Sequence, residues 1–349
     1  MAAPTIDDAL EQLPKVELHC HVEGTMRPAT VLELARTNGI ALPTTDLDRL
    51  YHYDSLDGFL TVFWLVQSCL VTRGDWARLA YESVVDGAAH GRVYAETFFT
   101  PARHLAGGQQ LADIVAGLVE GIEAAEQETG ARCMLIADID RAYGAEAGAQ
   151  LVGGLIDLRR SRAAGIERVI GIGLDSTELG VDPRSFAGAY REAGAAGLRL
   201  TAHQGEETGP DAIAVCVDVL GAQRIDHGLS LVEDDELVRR FAGERIPLTV
   251  CPTSNVVIAN RVPDVAHHPY ARMRASGLLA TLNTDDPALT DLDLGREYRA
   301  VAAAYGWDFA TMVGVSHDGV DGTWLDEADK RALHRRIDEA AAELQPAGA

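Results

Sequence analysis

Eight short apolar runs typical of β-strands, most of them separated by helical segments, limit the possible folds of this chain more than any other feature. The runs cover residues 15–21, 92–99, 131–139, 168–176, 198–206, 223–228, 246–254 and 278–286. Strands that alternate with helices pair in parallel, because each helix returns the chain to the same edge of the sheet. Eight such units in 349 residues predict an α/β fold, a (β/α)8 TIM barrel in a single domain over residues 1–349.

Two helical regions lie outside this alternation. The gap between the first and second runs, about residues 25–90, predicts a helical insertion above the barrel mouth, and helices after residue 288 close the fold. In the insertion, the spacing of Phe59, Phe63 and Trp64 predicts one aromatic helix face, which belongs either to the core or to a lid over a flat substrate. The alternative fold, a doubly wound sheet, needs a GxGxxG turn after its first strand, where this chain has "HCHVEGT".

Composition excludes several classes of partner. The formal net charge of -23 repels nucleic acid and anionic membranes, and no run of residues is apolar enough to cross a bilayer. The acidic start "MAAPTIDDALEQLPK" resembles neither a signal peptide nor a transit peptide. Five scattered cysteines without a CxxC pair predict reduced, buried thiols. We therefore expect a cytoplasmic protein with a small-molecule substrate; the sequence leaves the oligomeric state open.

Polar residues collect at the ends of four of the eight runs. They are His19, His21, Glu23, His203, Glu206, Asp226, His227, Asp285 and Asp286. In a TIM barrel the carboxyl ends of all strands meet at one rim, which carries the active site. Three imidazoles and a carboxylate on that rim predict a site for zinc with an open position for water, or else for Fe²⁺ or Mn²⁺.

Such a cation lowers the pKa of its water from about 15.7 to near 7. Glu206, three residues after His203, fits the role of a carboxylic acid that protonates the group under attack, and His227 is a fourth imidazole beside the water. Glu207 is predicted to be a solvated or capping residue. Most of the other histidines are predicted to have structural or surface roles; they are His52, His90, His267, His268, His317 and His334. His104, after the second strand, has no assigned role.

Five motifs in order resemble the adenosine/adenine deaminase family of the metal-dependent amidohydrolase superfamily. They are "HCHVEGT", "AHQGEE", "RIDHG", "CPTSN" and "NTDDP", between about Leu13 and Pro287. The resemblance implies one zinc ion held by His19, His21, His203 and Asp285. It also implies that Glu206 protonates a purine ring nitrogen, that His227 orients the attacking hydroxide, and that Asp286 binds the imidazole edge of the purine.

Within that family, "HxHxEGT", "GLDSTE" and "RIDHG" resemble the adenine deaminase branch. The resemblance implies hydrolysis of adenine to hypoxanthine and ammonia, with Gly173 and Ser176 among the substrate-binding residues. Glu23 replaces the aspartate with which nucleoside-specific members contact ribose. A longer carboxylate at this position reaches into the empty ribose space and accepts the N–H of the free base.

The sequence leaves alternatives open. Where the adenine branch has "FFDPQ.H", this chain has "FFTPARH", with Thr100 for the aspartate and Arg103 in the next turn. Adenosine, an N6-substituted purine or a nucleoside such as aminodeoxyfutalosine therefore stay possible substrates. Another amidohydrolase with two metals is disfavoured, because its bridging modified lysine is missing from "GLDSTE". A non-catalytic binding protein is the remaining alternative.

Overall fold

The computed structural model describes residues 4–51, 56–259 and 261–346, and it contains the eight predicted strands. They are β1 (Lys15–Glu17), β2 (Arg92–Phe99), β3 (Arg132–Asp140), β4 (Val169–Asp175), β5 (Arg199–Gln204), β6 (Arg224–His227), β7 (Leu248–Val250) and β8 (Ala280–Leu282). Each strand pairs in parallel with the next one along the chain, in the order β1 to β8. The predicted (β/α)8 barrel is confirmed.

The barrel closes between β8 and β1 at its carboxyl end. Cys20 forms an isolated parallel bridge with Asp285, and on the other side His21 forms one with Phe98. The Asp285 N–H donates to the His19 carbonyl over 3.0 Å, and the His21 N–H donates to the Asp285 carbonyl over 2.9 Å. Regular pairing of β1 therefore ends at Glu17, earlier than predicted, while the HxH segment continues extended between β2 and β8.

Helices surround the barrel. They are α1 (Ile6–Gln12), α2 (Pro28–Asn38), α3 (Leu47–Leu50), α4 (Leu56–Ser68), α5 (Arg73–Ala89), α6 (Ala102–Ala106), α7 (Leu111–Thr129), α8 (Gly144–Ser161), α9 (Ala187–Ala195), α10 (Pro210–Val215), α11 (Asp235–Glu244), α12 (Pro252–Val257), α13 (Tyr270–Ala275), α14 (Leu294–Tyr305), α15 (Phe309–Asp321) and α16 (Glu327–Glu343). Helices α2 to α5 occupy the predicted insertion, and α14 to α16 follow β8 as expected.

Some of the many acidic residues are N-caps of helices. Asp234, Asp293, Asp308 and Asp326 are N-cap residues whose carboxylates accept backbone N–H groups of the first turns of α11, α14, α15 and α16. Such caps satisfy donors that have no partner within the helix. No helix in the described ranges has the length and apolar character needed to span a membrane.

The structure tests two further predictions, on the cysteines and on the aromatic residues of the insertion. All five cysteines are buried and unpaired, as expected for reduced thiols. In the insertion, the Phe59 and Phe63 rings stack with their centroids 5.9 Å apart, whereas Trp64 is 49% exposed. The predicted aromatic face therefore holds for the first two rings only. His52 lies outside the described residues.

Candidate active site

Four side chains from the HxH segment and the ends of β5 and β8 converge at the carboxyl end of the barrel. They are His19, His21, His203 and Asp285, all buried, and one ligand atom of each lies within 4.8 Å of those of the other three. His21 Nε2 is 3.0 Å from His203 Nε2 and 3.3 Å from Asp285 Oδ1. The same carboxylate oxygen is 3.1 Å from His19 Nε2. The structure thus brings together the four predicted metal ligands.

An oxygen lies behind each of the three imidazole rings. The Nδ1 atom of His19 is 3.0 Å from Thr249 Oγ1, that of His21 is 3.8 Å from Asp138 Oδ2, and that of His203 is 3.6 Å from Asp226 Oδ2. Oxygens in these positions favour a proton on Nδ1, which leaves the Nε2 lone pairs pointing at one another. Two such lone pairs 3.0 Å apart repel unless a proton or a metal cation lies between them. The donor set therefore fits a divalent ion such as zinc.

Two of the four side chains are held in forms that bind a metal. Burial, together with the neighbouring His19 and His21 rings, holds the pKa of His203 well below its usual range, so this ring is neutral. Burial opposes ionisation of Asp285, but the His19 and His21 rings nevertheless hold the pKa of this carboxyl well below its usual range. A neutral imidazole and an ionised carboxylate are the forms that bind a metal. At His21 burial opposes protonation, but the Asp285 and Asp286 carboxylates raise the pKa of this ring well above its usual range, so a metal has to displace a proton there.

Glu206 and His227 face each other beside the cluster. Glu206 Oε2 is 3.5 Å from His227 Nε2. Burial, with the nearby charges of Asp285 and Glu178, raises the pKa of Glu206 well above its usual range, which favours the protonated carboxyl. Burial and the His19 ring lower the pKa of His227 to about 4, so its ring is neutral. The pair combines a proton donor with a neutral imidazole, as general acid chemistry requires.

Glu23 and Asp286 form a second group of buried carboxyls next to the cluster. The Thr100 backbone N–H donates to Glu23 Oε1 over 2.8 Å, while Glu23 Oε2 has no hydrogen-bond partner. Asp286 Oδ1 also lacks a partner, and burial together with Asp285 raises the pKa of Asp286 well above its usual range. A Cβ on Gly24 would lie 1.9 Å from Asp286 Oδ1, so glycine is required where the two segments meet. Two buried oxygens are thus free for a ligand.

Three residues at the carboxyl end of the barrel adopt a left-handed backbone conformation. Ser176, His227 and Asp285 have φ angles of 70°, 65° and 69°, values that are costly for residues with a side chain. Each comes at or just after the end of its strand. The left-handed turns bend the chain sharply there, which is how the His227 and Asp285 side chains reach the site while the backbone leaves the barrel.

The comparisons with known proteins agree with this geometry. Residues 14–340 match the sequence model of the adenosine deaminase family. The chain belongs to the adenosine deaminase family. An adenine deaminase from Streptomyces coelicolor is 38% identical over 97% of this chain and 98% of its own length. Family membership confirms the predicted enzyme class, a hydrolytic purine deaminase.

Two solved structures of adenosine deaminase-like barrels are similar over nearly their whole length. The adenine deaminase from Arthrobacter aurescens superposes with a TM-score of 0.87 at 32% identity, covering 94% of this chain and 98% of its own. An amidohydrolase from Burkholderia ambifaria, solved with bound Zn, superposes with a TM-score of 0.88 at 31% identity, covering 99% of this chain and 96% of its own.

The residues noted in the motifs after β2 and β4 differ in burial and in their contacts. Gly173 is buried beside Asp138, whose Oδ1 would be 1.9 Å from a Cβ at this position, so its lack of a side chain lets that carboxylate approach. Ser176 is exposed at the end of β4, and its carbonyl accepts a hydrogen bond from Arg141 Nη1 over 2.9 Å. Arg103 is exposed on α6. His104 is buried edge-on against Trp76, with ring centroids 4.7 Å apart.

Sequence reasoning missed three residues that contact this site. Asn255, the last residue of "CPTSN", donates from Nδ2 to Glu206 Oε1 over 2.6 Å and to His227 Nδ1 over 3.1 Å. His268, predicted to have a structural or surface role, is buried, and its Nε2 lies 3.1 Å from Asn255 Oδ1. Glu178, the last residue of "GLDSTE", is the third. The motifs contained two of the three, but a motif does not show which atoms meet.

Glu178 fastens the loop that carries Glu206. Its buried carboxylate accepts the backbone N–H groups of Gly205, Glu206 and Thr208 over 2.9–3.0 Å, and also the side chains of Gln204 and Thr208. In return, Glu207 Oε2 accepts the Glu178 N–H over 2.7 Å and the Thr177 hydroxyl over 2.9 Å. The predicted capping role of Glu207 agrees with these contacts. The loops after β4 and β5 are thus tied together by a reciprocal pair of glutamates.

We expect Glu178→Gln to lower the free energy of unfolding by about 2–4 kcal/mol, because an amide presents N–H groups to backbone donors and leaves some of them buried without an acceptor. Urea unfolding followed by circular dichroism measures the change. The matched control is Glu207→Gln, which alters a less buried carboxylate with two donors and should cost less than about 1 kcal/mol. Equal losses in both variants would contradict the special role of Glu178.

Proposed function

We propose that this member of the adenosine deaminase family hydrolyses adenine to hypoxanthine and ammonia. The observation that carries the choice of substrate is Glu23 Oε2, a carboxylate oxygen that is fully buried and has no hydrogen-bond partner. A buried acceptor without a donor is costly, and a ligand that supplies the donor removes the cost. Free adenine has an N–H on its five-membered ring at the position where adenosine has its sugar.

Three further observations support a free base. Glu23 is held by a backbone group, the Thr100 N–H, so replacement of the family's aspartate by threonine leaves this contact intact. The Thr100 hydroxyl instead donates to Asp175 Oδ2 over 2.5 Å. Burial and the neighbouring Asp285 raise the pKa of Asp286 well above its usual range, which favours a protonated carboxyl that can donate to the ring nitrogen on the imidazole edge. The similar Streptomyces and Arthrobacter proteins are both named adenine deaminases.

We further propose that His19, His21, His203 and Asp285 hold one zinc ion. Their nitrogen and oxygen donors fit zinc with a position left for water, although Fe²⁺ and Mn²⁺ accept the same ligands. When bound, such an ion supplies water that ionises near neutral pH. The similar Burkholderia amidohydrolase was solved with bound Zn, which supports this choice.

The residues of the chain move the protons. Glu206 gives its proton to the ring nitrogen next to the carbon that bears the amine, which makes that carbon electrophilic. His227 orients the attacking oxygen. Glu206, now a carboxylate, accepts the proton of the oxygen added to the carbon and passes it to the departing amine. Ammonia leaves as the carbonyl forms, and Glu206 regains from solvent the proton that the water lost on ionisation.

The substrate is tested by following the ultraviolet change of the zinc-loaded enzyme with adenine, adenosine, deoxyadenosine, N6-methyladenine and aminodeoxyfutalosine. We expect kcat/KM for adenine to exceed that for adenosine by at least about 100-fold, because the nucleoside lacks the ring N–H and leaves Glu23 Oε2 unpaired. A nucleoside or an N6-substituted purine as the best substrate would overturn the assignment to adenine but not to the family.

Glu23→Asp tests the reason for that preference. The shorter carboxylate withdraws from the base and opens space for ribose, so we expect the adenine-to-adenosine ratio of kcat/KM to fall about tenfold or more. Thr100→Ser is the matched control, since it keeps the backbone N–H that holds Glu23 and the hydroxyl that meets Asp175. An unchanged ratio in Glu23→Asp would remove Glu23 from substrate selection.

A further inference from the structure

A chain of hydrogen bonds with a fixed direction runs from the backbone of α13 to Glu206 and His227. It begins at Tyr270, whose backbone N–H donates to His268 Nδ1 over 3.1 Å. A backbone N–H is always a donor, so His268 Nδ1 must be the acceptor and the ring proton must sit on Nε2. Burial lowers the pKa of His268 to about 3, so the ring is neutral and carries only that one N–H.

The orientation of Asn255 follows from this ring. His268 Nε2 lies 3.1 Å from Asn255 Oδ1, so its N–H donates to the amide oxygen. The amide nitrogen must then point the opposite way, toward Glu206 Oε1 at 2.6 Å and His227 Nδ1 at 3.1 Å. Asn255 is fully buried and His268 is 3% exposed, so water does not compete for these contacts. A flipped amide would set its two N–H groups against the His268 N–H.

We propose that Asn255 and His268 are positioning residues that make His227 Nδ1 and Glu206 Oε1 hydrogen-bond acceptors, and so direct the proton-bearing atoms of the two side chains, His227 Nε2 and Glu206 Oε2, toward the substrate. Both assignments follow from the amide, which donates to His227 Nδ1 and to Glu206 Oε1 and thereby makes each of these atoms an acceptor. His227 Nε2 and Glu206 Oε2, which are 3.5 Å apart, are then the two atoms that carry protons. The proposal rests on the proposed purine deamination only for its consequence in catalysis.

As a consequence, the two donors, His227 Nε2 and Glu206 Oε2, are already oriented toward the substrate position before the substrate binds. The opposite tautomer of His227 would turn a lone pair toward the attacking oxygen, and a Glu206 proton on Oε1 would be directed at Asn255. Either misplaced proton prevents proton transfer to the substrate, but it leaves the proposed contacts of Glu23 and Asp286 with the purine intact. Loss of this chain of hydrogen bonds should therefore lower kcat and leave KM nearly unchanged, whereas a general loss of packing would change both kcat and KM.

The tautomer is tested without any substrate, by NMR of the zinc-loaded protein labelled with ¹⁵N in its histidine rings. The His227 signals are identified by their absence from His227→Gln. We expect the Nε2–H form in the parent protein and the Nδ1–H form in Asn255→Asp, because an aspartate oxygen accepts where the amide donated. The same His227 tautomer in both proteins would overturn the proposal, even if adenine proves to be the wrong substrate.

Kinetics with a matched pair of variants provides the second test. His268→Leu removes the donor to Asn255 Oδ1, while His268→Gln keeps an N–H near the Nε2 position. We expect kcat to fall about 30-fold in the leucine variant with KM within about threefold, and the glutamine variant to keep at least about a third of the parent kcat. Equal losses of kcat in both variants, at equal zinc content and melting temperature, would overturn the positioning role.

Discussion

Glu206→Gln should lower kcat by at least about 1,000-fold while the protein keeps its metal and its affinity for purine, because general acid catalysis is lost and little else changes. The glutamine amide is nearly isosteric with the carboxyl, and its oxygen still accepts from Asn255 Nδ2 at the position of Glu206 Oε1. What it lacks is a proton that can leave. The Glu206 carboxyl does not contribute a ligand atom to the His–Asp cluster, so metal content should be unchanged.

Steady-state kinetics, metal analysis and calorimetric titration with hypoxanthine together measure these effects. Glu207→Gln is the matched control, because it neutralises the neighbouring glutamate without touching the proton donor, and it should keep most of the parent kcat. Since burial raises the pKa of Glu206, its acid form persists to a higher pH than that of an ordinary glutamate, and kcat of the parent should fall as the pH rises past that pKa. Substantial turnover by Glu206→Gln would remove Glu206 from the acid role.

His203→Ala should abolish both metal binding and turnover. The substitution removes one of the three proposed imidazole ligands, while Asp226 behind the lost ring keeps its hydrogen bonds from the Thr201 and Thr249 hydroxyls. Incomplete donor sets bind zinc far more weakly, so we expect less than about a tenth of the parent metal content after gel filtration. Activity should stay undetectable when zinc is added back, in contrast to the parent protein after treatment with a chelator.

Metal analysis by mass spectrometry and ammonia release measure the two effects. His267→Ala is a suitable control, because this histidine is exposed and its ring pairs with Asp264 on its own turn at 2.8 Å. It should keep full metal content and full rate. A His203→Ala protein with one equivalent of metal, or a metal-free parent that releases ammonia at full rate, would contradict the proposed metal centre.

The barrel and the cluster of His19, His21, His203 and Asp285 could be predicted because they depend on local patterns. Apolar runs predict strands, and the β2 prediction matched the observed bounds, Arg92–Phe99. The two-residue spacing of His19 and His21 puts both rings on one face of an extended segment, wherever its neighbours lie. Strand ends such as β7 were overestimated, since the polar residues after Val250 leave the sheet to build the site.

The sequence by itself therefore determined the eightfold alternation, the rim on which the polar residues meet and the residue types that suit a metal and an acid. Only the tertiary structure decided which groups form hydrogen bonds to these polar residues. Hydrogen-bond partners across a barrel depend on the register between strands and on the path of each loop. Asn255 and His268 meet across a 13-residue separation, and Glu178 reaches the Glu206 loop across 28 residues. Thr100 acts on Glu23 through a backbone N–H, which every residue but proline has, so no side-chain pattern marks it.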